Sequence, residues 1–349
     1  MDITYQAHTV HKRVALTISR GTTASSTNLW VQVEADGIQG LGEATPFSIG
    51  NLTQTSEQIA ADLDQLAAGL SLYHPLERQI IEESLDQIAP CSAARAALDT
   101  ALWDWLGKKA GLPLWQLWGL DCQRIGPTAV TVGISAPEQA RQRLHRWHTD
   151  YPGLRSIKIK LGSPQGIATD QAMFSALQQD IGPSDKVSVD ANGGWHLADA
   201  VTMAQWLGQR GVAYLEQPLS VADNKYLGEL KQASPLPIFI DESCFTSRDI
   251  LALAPWIDGI NIKLMKAGGL TEARRMIAVA RACGLQVMFG CYSDTVLSNT
   301  ALAHLSPLVQ HLDLDSHLNL QDDPFLGAAL SSGRLLPNNA PGLGVSYAR

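Results

Sequence analysis

Several features that mark common protein classes are missing from this chain of 349 residues. Its five cysteines form no CxxC pair and no cysteine–histidine spacing typical of zinc sites, and their number is odd. No stretch approaches the roughly 18 apolar residues that a membrane span needs, and the first residues lack a basic region followed by an apolar run. We therefore interpret the cysteines as reduced thiols and expect a soluble, cytoplasmic protein.

Basic residues are also fewer than acidic ones. The chain has 26 lysines and arginines and 34 acidic residues, so its formal net charge is −8. Nucleic acids and anionic membranes usually bind to a basic patch, so we expect neither as a partner and favour a small molecule. Neither GxGxxG nor GxxxxGK[ST] occurs, which argues against an open sheet that binds nucleotide phosphates. Association into a homo-oligomer stays open.

The first third of the chain has the pattern of a small antiparallel sheet followed by helices. The segments VALTI, NLWVQVEAD and GIQGLGEA are rich in strand formers, and Asp36-Gly37 suits a hairpin turn. Polar residues 19–26 predict a loop between the first two strands, and 46–52 predict a second loop. Helical patterns follow at 53–70, 76–88 and 91–109.

After Gly119, strand-like and helical segments alternate. Eight strands with seven helices between them predict a (β/α)7β TIM barrel, an α/β fold. The expected strands are 128–133, 156–162, 186–194, 213–218, 238–243, 259–266, 286–291 and 311–315. We therefore predict an α+β capping domain over 1–119, a barrel over 120–317, and a tail, 318–349, that packs back on the cap and completes it.

Three carboxylates recur at intervals of about one strand and one helix, the length of one barrel unit. Asp190 in VSVDAN, Glu216 in YLEQP and Asp241 in FIDES each end an apolar strand, 26 and 25 residues apart. Functional residues of a barrel lie at the carboxyl ends of its strands, and neighbouring carboxylates repel unless a cation lies between them. Capping of the following helix is the alternative role for each acid, but three in succession favour Mg²⁺, which prefers oxygen ligands.

Lysines flank this trio on strands two and six of the barrel. Lys158 and Lys160 alternate on one strand and so point the same way, which in a barrel means inward. Lys263 ends the apolar strand GINIK, and strands two and six lie across the barrel from each other. Two inward ammonium groups lower each other's pKa, which would make one of them a usable base near neutral pH.

Together the motifs KIK at 158–160, VDAN, LEQP, IDES and NIKLMKAGG, in this order, resemble those of the enolase superfamily, in its muconate-lactonising subgroup. The resemblance implies that Asp190, Glu216 and Asp241 bind one Mg²⁺ per subunit. It further implies that Lys160 and Lys263 are the acid/base pair, with Lys266 as the alternative to Lys263. Lys158 would polarise the substrate carboxylate and depress the pKa of Lys160.

That resemblance implies abstraction of the proton α to a carboxylate, giving an enediolate that is reprotonated on the opposite face. The pair Asp313 and Asp315 in HLDLD narrows the substrate, because it is similar to the DxD of dipeptide epimerases, in which two acids hold the α-ammonium of an L,X-dipeptide. A role in capping the next turn is the alternative. We therefore predict a dipeptide epimerase that inverts the α-carbon of the C-terminal residue.

The sequence does not determine which side chain that C-terminal residue carries. Arg20 in the first loop would suit an acidic residue such as Glu, as in L-Ala-D/L-Glu epimerisation. The apolar and hydroxyl groups of PFSIGNL would suit a hydrophobic one. Tyr292 and Asp294 in GCYSD would shape or charge the pocket, and Asp294 would favour a cationic substrate side chain.

Other members of the subgroup are the main alternatives, namely o-succinylbenzoate synthase, N-acylamino acid racemase or a cycloisomerase. They give no reason for Asp313 and Asp315, since their substrates carry no α-ammonium. A metal-dependent aldolase also uses carboxylates in a barrel, but it requires no bases on opposing strands. A barrel that only binds a metal would lack a catalytic lysine or acid, and none is missing.

Overall fold

The computed structural model describes residues 1–348, and its chain begins with a three-stranded antiparallel sheet. The strands are β1 (Asp2–Ile18), β2 (Gly21–Ala35) and β3 (Ile38–Ala44). The predicted turn at Asp36-Gly37 is present, and both residues have left-handed φ angles, 53° and 71°.

The predicted loop 19–26 is wrong in its extent, since only Ser19 and Arg20 lie outside the strands. Threonine is β-branched and suits a strand, and the hydroxyls of Thr17 and Thr22 pair across the hairpin at 2.8 Å. The result is a long two-stranded ribbon whose tip carries Arg20.

Residues predicted as the second loop form a short hairpin of β4 (Phe47–Ile49) and β5 (Leu52–Gln54). Four helices follow: α1 (Ser56–Leu70), α2 (Arg78–Ile88), α3 (Ser92–Ala110) and α4 (Leu114–Leu117).

Helix α3 lies between the N-terminal sheet and the rest of the chain. Gly40 and Gly42 let β3 approach it closely, because a Cβ at either position would collide with the carbonyl oxygen of Ala101 or Ala97. On its other side, Asp99 accepts a hydrogen bond of 2.9 Å from the backbone N–H of Thr271. Helix α3 thus fixes the sheet against the part of the chain that holds the lysines and carboxylates.

The predicted barrel is confirmed. Eight parallel strands pair in chain order, and a bridge between Thr128 and Leu312 joins the last to the first. They are β6 (Ala129–Val132), β7 (Ser156–Lys160), β8 (Lys186–Asp190), β9 (Leu215–Glu216), β10 (Ile238–Ile240), β11 (Gly259–Lys263), β12 (Gln286–Gly290) and β13 (His311–Leu312).

Helices surround this barrel. They are α5 (Pro137–Asp150), α6 (Ile167–Leu177), α7 (Leu197–Gly208), α8 (Leu227–Ala233), α9 (Ser247–Leu253), α10 (Leu264–Ala267), α11 (Leu270–Ala282) and α12 (Val296–Leu305). Short 3₁₀ turns occupy Cys122–Arg124, Val221–Tyr226, Ala254–Trp256, Ser306–Leu308 and Ser316–Asn319.

The last part of the chain returns to the N-terminal sheet. Leu320 forms a bridge with Lys12 of β1, and the ring of Phe325 packs edge-on against Trp30 of β2 at 4.8 Å between centroids. The strands here are β14 (Phe325–Leu326), β15 (Ala329–Ser331), β16 (Arg334–Leu336) and β17 (Ser346–Tyr347). Among the helices of residues 1–348, none combines the length and apolarity needed to span a membrane.

Candidate active site

Three carboxylates lie at the carboxyl ends of neighbouring barrel strands. Asp190 ends β8, Glu216 ends β9, and Asp241 directly follows β10. All three side chains are at most 1% exposed. The barrel therefore places three acids in one buried layer, as their spacing predicted.

Three asparagine and glutamine residues hold these acids in position. Asn261 donates a hydrogen bond of 2.7 Å to Glu216 Oε1, and the backbone N–H of Asn192 donates one of 2.8 Å to Asp190 Oδ1. Gln217 accepts from the backbone N–H of Asp241 at 2.9 Å. Asn192 and Gln217 have left-handed φ angles of 45° and 37°, which non-glycine residues rarely adopt. Strained backbone of this kind clusters at functional sites.

Four lysine ammonium groups lie among the acids. Lys158 Nζ is 2.7 Å from Glu216, 2.6 Å from Asp313 and 3.4 Å from Asp190. Lys160 Nζ is 2.5 Å from Asp190 Oδ2. On the other side of the barrel, Lys263 Nζ is 2.7 Å from Asp241 Oδ2.

The fourth lysine, Lys266, has a different environment from Lys263. Its ammonium is 2.8 Å from Asp241 Oδ1, and it also donates to the backbone carbonyls of Asp241, Cys244 at 2.7 Å and Asn261 at 3.1 Å. All its protons are therefore engaged by fixed partners. Lys263 instead lies under the ring of Tyr292, at 4.6 Å from the centroid.

Burial and charge shift the acids in opposite directions. Burial raises the pKa of Asp190, but Lys160 and Lys158 outweigh it and bring the pKa to about 2. For Glu216, burial and the charge of Asp190 dominate and raise the pKa to about 7. Burial likewise opposes the charge of Asp241, but Lys263 and Lys266 hold its pKa well below the usual value.

The same ion pairs act on the lysines. Burial favours the neutral amine of Lys158, but Asp313, Glu216 and Asp190 hold its pKa well above the usual value. Asp241 has the same effect on Lys263, against burial. The predicted mutual lowering of pKa does not hold for Lys158, because three acids surround its ammonium. Lys158 and Lys263 are therefore both cationic in this arrangement.

Whether the three acids suit a divalent cation depends on their free oxygens. Within residues 1–348 no three acids or histidines are already grouped around a cation position, because ammonium groups lie between them. Glu216 Oε2 and both carboxylate oxygens of Asp241 are buried, and each faces an ammonium group at 2.7 to 2.8 Å. Buried carboxylate oxygens that already face positive charge match the preference of Mg²⁺. The donor set fits this ion once the ammonium groups move aside.

Asp313 and Asp315 follow β13, which ends three residues earlier than the predicted strand 311–315. Both line a cavity of about 430 Å³ that also contacts Lys160 and Tyr292. Asp313 is paired with Lys158, while Asp315 Oδ2 accepts a hydrogen bond of 2.7 Å from the backbone N–H of Thr131. The two acids thus share a wall of one cavity beside Lys160.

Arg20 lies at the tip of the β1–β2 ribbon, over the mouth of the barrel. Its Nη1 donates a hydrogen bond of 2.7 Å to Glu242 Oε1 and one of 2.9 Å to the carbonyl oxygen of Asn192. It lines a second cavity of about 750 Å³ together with the apolar side chains of Ile49, Leu52, Leu219, Val221 and Phe245. Because Glu242 already balances its charge, Arg20 is not the free cation that an acidic substrate side chain would require.

Tyr292 and Asp294, which follow the seventh strand of the barrel, lie in different surroundings. Tyr292 lines the first cavity and stacks on Phe47 at 4.8 Å between centroids, with its hydroxyl buried and without a hydrogen bond. Asp294 is buried and lines neither of the two cavities among the described residues. Burial raises its pKa. The structure therefore gives Asp294 no contact with a space where a cationic side chain would bind.

Several residues of the site escaped the sequence interpretation. Asn261 precedes Lys263 by two positions, so strand alternation alone would have placed it inward. Gln217 follows Glu216 within LEQP and offered a similar signal. Lys12 also lines the first cavity, but it lies about 300 residues from the aspartates that it faces, and nothing in its local sequence marks it.

Comparison with known proteins gives consistent results. Residues 138–349 match the family model described as enolase C-terminal domain-like, and residues 2–119 match that of the mandelate racemase / muconate lactonizing enzyme N-terminal domain. A hydrophobic dipeptide epimerase of Flavobacteria bacterium (strain MS024-2A) is 43% identical, over 99% of this chain and 98% of its own.

Two solved structures are also similar. A dipeptide epimerase from Enterococcus faecalis V583, complexed with Mg and L-Leu-L-Tyr, has a TM-score of 0.92 and 32% identity over 99% of both chains. The substrate-liganded L-Ala-D/L-Glu epimerase from Bacillus subtilis has a TM-score of 0.93 and 29% identity, over 99% of this chain and 98% of its own.

Proposed function

We propose that this chain, which belongs to the mandelate racemase and muconate lactonizing enzyme family of the enolase superfamily, is a dipeptide epimerase. It inverts the α-carbon of the C-terminal residue of an L,X-dipeptide by moving a proton between the two faces of that carbon. One observation carries the proposal: Lys160 and Lys263 end opposing strands of the barrel, with the carboxylate trio between them and Asp313 and Asp315 in the adjoining cavity.

Inversion requires a proton acceptor on one face and a proton donor on the other. Strands β7 and β11 are four apart in the eight-stranded barrel, so Lys160 and Lys263 reach its centre from opposite sides. Neutral Lys160 Nζ takes the α-proton of one isomer while the Lys263 ammonium gives a proton to the other face, and the reverse reaction exchanges these roles. We assign the pair to Lys263 rather than Lys266 because Lys266 is engaged by three backbone carbonyls.

Asp190, Glu216 and Asp241 would hold one Mg²⁺. This ion, when bound, supplies positive charge that neutralises the substrate carboxylate and makes the adjacent α-proton more acidic. Lys158 is fully buried between Glu216 and Asp313. We assign it to the substrate carboxylate, which its permanent charge would polarise.

Two recognition elements define the dipeptide. Asp313 and Asp315 hold the α-ammonium, since a buried ammonium requires charged acceptors. The second cavity holds the side chain of the C-terminal residue, and its apolar lining with a charge-paired Arg20 favours a hydrophobic residue over Glu or a cationic residue. Tyr292 lies between Lys263 and the first cavity and limits the space at the reacting carbon.

We further infer the organisation and setting of the enzyme. Residues 1–119 and 318–349 form a cap, and residues 120–317 form the catalytic barrel. The net charge of −8 argues against a nucleic-acid partner, and the free cysteines support a cytoplasmic enzyme. Light scattering of the purified chain decides whether it assembles into a homo-oligomer.

A library of dipeptides in D₂O with Mg²⁺ tests the function. The α-carbon of the C-terminal residue should gain deuterium while its configuration scrambles, and the N-terminal residue should gain none. EDTA should stop both changes and added Mg²⁺ should restore them. Retention of activity toward N-succinyl or N-acetyl amino acids, with no dipeptide converted, would contradict the proposal and favour an N-acylamino acid racemase.

A further inference from the structure

Two half-buried cations that line the first cavity have no acidic side chain in ion-pair contact, and a third, Arg146, is exposed. Lys12, on β1, and Arg143, on α5, both line it together with Asp313 and Asp315. Among the described residues, no carboxylate oxygen lies within 4.0 Å of Lys12 Nζ or of the Arg143 guanidinium. Each has only neutral contacts: Lys12 donates to Ser293 Oγ, and Arg143 donates 3.0 Å to Asn319 Oδ1 and stacks on Trp147 at 4.0 Å.

This arrangement differs from that of every other lysine at the barrel mouth. Lys158, Lys160, Lys263 and Lys266 each have a carboxylate oxygen within 2.8 Å. Burial lowers the pKa of both Lys12 and Arg143, and the longer-range charge of Asp315 opposes this effect only in part. A partly buried cation without a counter-charge costs free energy, and an anionic ligand in the cavity would recover it.

The two aspartates are not ion-pair partners of these cations. Asp313 is paired with Lys158 at 2.6 Å, and Asp315 accepts a hydrogen bond of 2.7 Å from the backbone N–H of Thr131, so the charges of Lys12 and Arg143 reach Asp315 only at longer range. Lys12 and Arg143 therefore form a second, positively charged wall of the cavity, next to the acidic one.

We propose that Lys12 and Arg143 bind a carboxylate on the side chain of the N-terminal residue, so that the enzyme favours dipeptides beginning with L-Glu or L-Asp. This inference rests on the proposed function, because Asp313 and Asp315 anchor the α-ammonium and so place the adjoining side chain in this cavity. Opposite charges on the two walls match an N-terminal acidic residue, which carries an ammonium and a carboxylate a few bonds apart.

The test compares L-Glu-X with L-Gln-X, where X is the residue that the library screen identifies. These substrates have nearly the same shape, and L-Gln-X has a neutral amide in place of the side-chain carboxylate. We expect kcat/KM to be about 10- to 100-fold higher for L-Glu-X, the range of one charge-assisted hydrogen bond. Lys12→Met and Arg143→Met should each lower kcat/KM for L-Glu-X far more than for L-Gln-X and so remove most of this preference.

Arg13→Met is the matched control. Arg13 is the next residue on β1, donates 2.8 Å to the carbonyl of Leu320, and does not line the cavity. Its loss should leave the preference for L-Glu-X intact. Thermal unfolding of the three variants verifies that each is folded, and a Lys12→Glu variant should instead favour L-Lys-X.

The outcomes separate the two proposals. Equal rates for L-Glu-X and L-Gln-X, or a preference that survives both Lys12→Met and Arg143→Met, would overturn the acidic subsite while the epimerase activity stands. Absence of turnover for every dipeptide in the library would overturn the proposed function and the subsite with it.

Discussion

The ammonium of Lys158 lies 2.7 Å from Glu216 Oε2, and both side chains are 0% exposed. A buried ion pair offsets the cost of desolvating its two charges, so removal of one partner leaves the other uncompensated. The pair thus couples the acid that we assign to the metal with the lysine that we assign to the substrate carboxylate.

We expect Lys158→Met to lower the free energy of unfolding by about 3 kcal/mol in metal-free enzyme, the range for breaking a buried pair. The double variant Lys158→Met, Glu216→Gln should recover part of this loss, since neither charge remains. Urea unfolding of the two single variants and the double variant measures the coupling. Additive effects of the two substitutions would show that the pair makes no net contribution.

Lys160→Ala and Lys263→Ala should each reduce epimerisation at least about 1000-fold, because inversion needs both an acceptor and a donor. Each variant keeps one base, so each should still exchange the α-proton of one isomer with solvent, and the two variants should act on opposite isomers. Proton NMR in D₂O with L,L and L,D substrates separates exchange from inversion. Exchange of the same isomer by both variants would show that the lysines do not lie on opposite faces.

Activity should fall in acid as Asp315 is protonated. Burial and then the charge of Asp313 raise the pKa of Asp315 from 3.8 to about 6. Below that pH the side chain is neutral and attracts the substrate ammonium less, so kcat/KM for dipeptides should decline as pH falls through about 6. In Asp315→Asn the value should be about 100-fold lower at pH 8, and this acid limb should disappear. An unchanged limb in Asp315→Asn would assign the titration to another group.

Stability should change with pH in the opposite direction. A carboxyl whose pKa is raised on folding binds its proton more tightly in the folded state, so its contribution favours the folded state at low pH. For Asp315 that contribution is lost as pH rises from about 4 to about 6. For Asp315, protonation therefore lowers activity but favours the folded state, so protonation of this group does not reduce activity by unfolding the protein.

Glu242→Gln should change the choice of the C-terminal residue. It removes the carboxylate that balances Arg20 at 2.7 Å and leaves the guanidinium at the edge of the second cavity. We expect kcat/KM for L-Ala-L-Glu to rise about tenfold relative to L-Ala-L-Phe, the worth of one added ion pair in a partly buried site. The double variant Arg20→Met, Glu242→Gln is the control and should show no such gain. An equal gain in both variants would exclude Arg20 as its source.

The sequence alone determined the barrel and its central chemistry. Apolar strands ending in Asp190, Glu216 and Asp241 recur at a constant interval, and the alternation of Lys158 with Lys160 is a local property of one strand. Because the carboxyl ends of barrel strands meet at one face, linear spacing was sufficient to predict which of these residues share a site.

Only the tertiary structure decided which charges are free. Arg20 is paired with Glu242, some 220 residues away, and Lys266 is enclosed by the carbonyls of Asp241, Cys244 and Asn261. Lys12 lines the same cavity as Asp313 and Asp315 but forms no ion pair with either. Electrostatic interactions depend on distance and burial in space rather than along the chain. A charged residue in the sequence therefore does not reveal whether folding leaves its charge available to a substrate.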